Sequence, residues 1–148
     1  PASSSDPNNR LFTQAMKPMQ TSLVLAAHEP KALSHFYCEL FGAKAREGKA
    51  DHHRILDLND GVRLEIYRPS KHRPFPAAGR ALSLCLKLPA HQIPLVELED
   101  HVSHALRLGG SVLEPARLEP FGAECWINDP AGNAVLLLVP IERLERSA

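Results

Sequence analysis

Apolar residues recur along this chain in two rhythms. In "PKALSHFYCELFG" the stripe Leu33, Phe36, Tyr37, Leu40 and Phe41 has helical spacing, with Pro30 at the start and Gly42 at the stop. In "PLVELEDHVSHALRLGG" the stripe is Leu95, Leu98, Val102, Ala105 and Leu106, between Pro94 and Gly109-Gly110. Elsewhere the period is two. "SLVLA" from Ser22 and "SLCLK" from Ser83 read as strands ahead of each helix, and "AKAREG" and "SVLEP" as short extended pieces after them. Each half closes on a hairpin: "HRILDL-NDG-VRLEIY" turns on Asn59-Asp60-Gly61, and "AECWIN-DPAGN-AVLLLV" on Asp129, Pro130 and Gly132.

The halves repeat one another. Placing Gly61 on Gly132 puts Pro69 on Pro140 and Glu65 on Leu136, and the first strands align Ser22 with Ser83. The order strand, helix, strand, strand, strand occurs twice, an internal duplication of a βαβββ unit and an α+β chain. The expected organisation is a flexible tail over 1–15, a first module over 16–68, a linker loop over 69–80, a second module over 81–140 and a tail over 141–148. Met16 or Met19 is read as a start, on the small polar composition of what precedes them.

Composition narrows the class. Lys+Arg and Asp+Glu are equal at 17 each, so charge offers no footprint for nucleic acid or an acidic membrane. No apolar run approaches the ~20 residues that span a bilayer. Three cysteines, Cys38, Cys85 and Cys125, lack C-x-x-C spacing, which argues against a disulfide framework and a structural zinc site. These features suit a cytoplasmic protein.

With "AAHEPKALSHFYCELFGAK" in the first half and "HALRLGGSVLEPARLEPFGAECWINDPAGNAVLLLVP" in the second, the chain resembles the vicinal oxygen chelate superfamily. That group includes glyoxalases, extradiol dioxygenases, epimerases, fosfomycin-resistance transferases and bleomycin-binding proteins. The resemblance implies two modules forming a curved, mixed eight-stranded sheet around a cavity, helices on the convex side. It also implies metal ligands from the first and last strands of each module, carried here onto Ser22, Glu65, Ser83 and Leu136. A shift of the second first strand by two residues substitutes Ala81. A serine hydroxyl is a poor ligand and leucine none, so no metal and no other cofactor is expected. His28 is read as a cap or rim residue, and His101 and His104 as solvated on the convex helix.

Given that cavity, alternation assigns its lining. Leu64 and Ile66 face the helices, so Arg63, Glu65 and Tyr67 face the cavity, joined across the hairpin by His53, Ile55 and Asp57. The other wall carries Ala134, Leu136 and Leu138. The first strands add Ser22, Val24, Ala26, Ser83, Cys85 and Lys87. One wall is thus polar and one apolar. Trp126 and Phe121 offer faces to a planar ligand. Arg68, Lys71, His72, Arg73 and Arg80 make the linker basic.

Two functions fit this lining. The first is a metal-free small-molecule-binding protein of glyoxalase/bleomycin-resistance type, a homodimer trapping a metabolite or drug-like ligand. The alternative is a lyase, isomerase or dioxygenase-like enzyme in which Glu65 is the base or a residual metal ligand, with Arg63 or Lys87 stabilising an oxyanion. A purely structural role is a third class.

Overall fold

The computed structural model describes residues 22–48, 50–58, 60–72, 74–77, 79–80 and 82–144. The expected tail over 1–15, the candidate starts Met16 and Met19, Asn59 of the first turn, Arg73 of the linker and the alternative position Ala81 lie outside them.

The first module runs β1 (Ser22–Ala26), α1 (Pro30–Phe41), β2 (Ala45–Glu47), β3 (Arg54–Asp57) and β4 (Arg63–Tyr67). The second runs β5 (Leu84–Lys87), α2 (Pro94–Arg107), β6 (Ser111–Glu119), β7 (Gly122–Asn128) and β8 (Ala134–Pro140). Both βαβββ units are therefore present. Their strands hydrogen-bond as two four-stranded sheets, ordered β1-β4-β3-β2 and β5-β8-β7-β6. In each, the first strand lies parallel to the last, because the connection between them is a crossover carrying the helix. The remaining pairs are antiparallel.

Both helices start on the expected proline, whose absent N–H costs nothing in the first turn. At the end of α1, Gly42 takes φ 70°, a left-handed conformation that brings its N–H onto the carbonyl of Cys38. The stripe of α1 is buried at Leu33, Phe36 and Tyr37. That of α2 is buried at Leu98 and Ala105, but Leu106 is 44% exposed. It flanks the apolar arc and is corrected to a surface residue.

A single core joins the modules. Leu56, Leu64 and Ile66 from the first sheet and Ile127, Val135, Leu137 and Val139 from the second pack with Phe36, Tyr37 and Leu98. Each such side chain contributes roughly 1.5–3 kcal/mol by leaving water. Alternation holds on both last strands: in β4 Arg63, Glu65 and Tyr67 are half-buried around buried Leu64 and Ile66, as are Leu136 and Leu138 in β8. The helices cover one face of each sheet, and the other face carries the candidate site. Among the described residues no helix is long and apolar enough to cross a membrane.

Candidate functional site

Register decides which side chains meet. Across β3 and β4, Ile55 lies abreast of Glu65 and Asp57 abreast of Arg63. Same-face neighbours therefore come together as the alternation required. Arg63 Nε donates to Asp57 Oδ1 at 2.9 Å, and Arg46 Nε reaches Asp57 Oδ2 at 3.4 Å. The guanidinium hydrogen bond holds the Asp57 carboxyl below the usual carboxylate range.

His53 sits just before β3, and its Nε2 lies 3.2 Å from Glu65 Oε1. The local backbone seats it there. The Gly48 N–H donates to the His53 carbonyl at 2.7 Å, closing the β2–β3 hairpin. The imidazole lies over Gly48 so closely that a Cβ there would fall 2.1 Å from Nδ1. Above the pair opens a cavity of about 480 Å³ lined by Val24, Ala50, Asp51, His53, Glu65, Tyr67, Arg68 and Ser70.

Of the expected lining, then, His53, Glu65 and Tyr67 share one cavity, while Arg63 and Asp57 pair one step along the strands. Ser22 is abreast of Arg63, and it is Val24 that lies abreast of Glu65. In the second module Cys85, rather than Ser83, is abreast of Leu136. Ser83 precedes β5 and borders a smaller space of about 120 Å³ at the seam, with Val24, Tyr37 and Leu82.

The second sheet's open face is not purely apolar. Glu124, abreast of Leu138, is buried yet charged. Arg117 clasps its carboxylate with Nε at 2.7 Å and with a second guanidinium nitrogen. The Arg80 guanidinium lies 5.4 Å from the centre of the Trp126 ring and donates to Glu114 at 2.7 Å. The expectation of one apolar wall is corrected here. The signal was available in "AECWIN", where Glu124 and Trp126 alternate with buried Ala123, Cys125 and Ile127. Cys85 is an exposed free thiol. Partial burial, then the nearby Glu124 charge, pushes its pKa up against the opposing pull of Lys87, the reverse of a nucleophile's activation.

Other expected residues find local partners. His28 stacks on Phe75 and its carbonyl accepts from Arg68. His101 Nε2 lies 3.3 Å from Glu97, with His91 on the other carboxylate oxygen at 3.9 Å. Lys87 lies on β5 of the second sheet, and Arg63 donates to Asp57.

A divalent metal needs several convergent nitrogen, oxygen or thiolate donors. At the four facing strand positions this chain has Val24, Glu65, Cys85 and Leu136. Among the described residues no group of three His, Cys, Asp or Glu side chains is placed to hold a metal ion. The residues present do not fit the superfamily's metal.

Two βαβββ modules with this topology define the vicinal oxygen chelate superfamily. The chain belongs to the family described as "Glyoxalase-like domain", whose model matches residues 22–138. No curated relative matches it. Solved structures agree in fold. A glyoxalase/bleomycin resistance protein/dioxygenase family enzyme from Burkholderia phytofirmans is similar with a TM-score of 0.67 and 12% identity, covering 84% of this chain and 100% of that one. A glyoxalase-related enzyme from Fulvimarina pelagi gives 0.66 and 18%, covering 83% and 88%. A glyoxalase/bleomycin resistance protein from Albidiferax ferrireducens gives 0.62 and 16%, covering 82% and 98%.

Proposed function

We propose that this protein binds a small organic molecule, without a resident metal, in the cavity over Val24, His53, Glu65 and Tyr67. The observation that carries the reading is the His53–Glu65 pair at 3.2 Å, lining a cavity of about 480 Å³. Small-molecule sites run to roughly 300–1,000 Å³ and combine apolar surface with a few convergent polar groups. Val24 supplies apolar surface and the Tyr67 ring a further flat one. Glu65 accepts hydrogen bonds, and His53 fixes its carboxylate. Arg63 with Asp57 buttresses the same wall, and Ser22, Ser83, Cys85 and Leu136 are the remaining positions assigned to the ligand. A metabolite or drug-like ligand with one polar end suits this lining. The open cavity, with Val24 61% exposed, is the reason to expect a homodimer to complete it.

A second reading rests on the same pair. A carboxylate touching an imidazole is an acid–base dyad, so Glu65 is the base if a lyase or isomerase reaction occurs, with His53 relaying the proton.

The test is native mass spectrometry and thermal shift of the full chain with a metabolite library and with zinc, manganese and nickel. We expect a metal-free dimer, organic hits, and a loss of affinity of about tenfold in Glu65→Gln, the size of one charge-assisted hydrogen bond. Hits that Glu65→Gln leaves unchanged sink the reading. Turnover of a hit that Glu65→Gln abolishes selects the dyad.

A further inference from the structure

A second cavity, of about 400 Å³, adjoins the first and shares Ala50, Asp51, His53 and Arg68 with it. Its own lining includes Lys31, His52 and Arg54. Arg54 is the unusual member. It opens β3 abreast of buried Ile66, so its stem is packed and only 22% of the side chain is exposed. Its Nε is shut off from solvent and has no hydrogen-bond partner among the described residues. Glu47 stands 3.8 Å from Nη1, beyond hydrogen-bond reach, on a side chain 88% exposed. A guanidinium offers five donors in a planar fork, and a buried donor without an acceptor is costly unless something supplies one.

The acidic residues around this cavity do not answer Arg54. Asp51 is exposed, and Glu29 is an exposed partner of Arg68 at 3.7 Å. Their charges are screened by water at the rim, whereas Arg54 lies deeper, where a charge acts more strongly.

We propose that this cavity is an anion subsite, in which Arg54, assisted by Lys31 and Arg68, holds a carboxylate or phosphate group. The cavity-lining end of the guanidinium takes the anion's oxygens, with the Lys31 ammonium beside it. Planar oxyanions match that fork in two parallel hydrogen bonds. The subsite deepens the proposed function and rests on it in one respect: the rest of the anionic molecule reaches past His53 to Glu65. The ligand class is an organic acid or a phosphate ester with a polar group at its far end.

The experiment is a titration of the isotopically labelled full chain with inorganic phosphate and, separately, acetate, followed by NMR, with sodium chloride at equal ionic strength as the control. We expect saturable shifts at the Arg54 Nε–H and at the amides of Lys31, His52 and Arg68, weakened about tenfold in Arg54→Gln. The stronger of the two anions identifies the group. Shifts that chloride reproduces, or that Arg54→Gln leaves intact, overturn the subsite. Should Arg54→Gln not fold, the double change of exposed Lys31→Gln and Arg68→Gln reads the same loss, and unchanged affinity overturns the proposal equally. Glu65→Gln keeps the two readings apart. It must not weaken phosphate binding, since it only removes a neighbouring negative charge, while weakening library hits, so either claim can fail alone.

Discussion

Tyr37, on the helix of the first module, donates a 2.6 Å hydrogen bond to Asp129 in the closing turn of the second. Both residues are buried. Asp129 also accepts from the amides of Ala131 and Asn133 and from the Asn133 side chain, so one carboxylate shapes a turn and ties two modules. Burial first, and then the Asp129 charge, pushes the Tyr37 hydroxyl far above its ordinary pKa, and it stays a donor at all working pH. Tyr37→Phe should destabilise the fold by about 1–3 kcal/mol in denaturant titration, with Asp129→Ala costing more because the turn loses its acceptor too. Equal stability of Tyr37→Phe and wild type would show the tie to be idle.

Gly48→Ala tests how His53 is held. A Cβ at 2.1 Å from Nδ1 and 2.4 Å from Cγ of His53 cannot be absorbed by the far end of a flexible chain, so the ring must leave. We expect about 1–3 kcal/mol of destabilisation, with altered imidazole resonances and loss of the Glu65 contact. Unshifted His53 resonances would refute the seating.

Asp57 gives a pH signature. Its folded pKa lies below the unfolded value of about 3.9, chiefly through the Arg63 hydrogen bond. The stabilisation is therefore complete above that value and fades as pH falls through the folded pKa. Asp57→Asn should unfold at a lower temperature than wild type at pH 7, with the difference shrinking by pH 3. A gap that stays constant contradicts the assignment.

Core and open face should respond differently. Leu64→Ala, under the helices, is expected to cost about 2–5 kcal/mol. Val24→Ala, on the ligand side, should stay within about 0.5 kcal/mol while changing library hits. Comparable losses at both would mean the two faces are misassigned.

Most of the architecture was legible because its periods are local. Leu64 and Ile66 alternate with Glu65 whatever the rest of the chain does, and Pro30 and Gly42 mark a helix by backbone chemistry alone. The hairpin partner of Glu65 followed from a tight turn, which brought Ile55 opposite it. The parallel pairs were less legible. Whether Ser22 or Val24 meets Glu65 depends on how α1 settles on the sheet, which no run of residues in β1 encodes. The face of Glu124 could be read from alternation in "AECWIN", but its partner Arg117 could not, since β6 shifts register around Pro115. Arg54 gave no sequence signal, since an unanswered donor is visible only once its surroundings are packed.

The duplication has a geometric corollary. Under the repeat that places Glu65 on Leu136, His53 falls on Glu124, so imidazole and carboxylate in one half correspond to carboxylate and alkyl in the other. A faithful repeat would offer a guest two interchangeable ways round. These unlike counterparts remove that ambiguity, giving a scaffold born of near-symmetry a head and a tail.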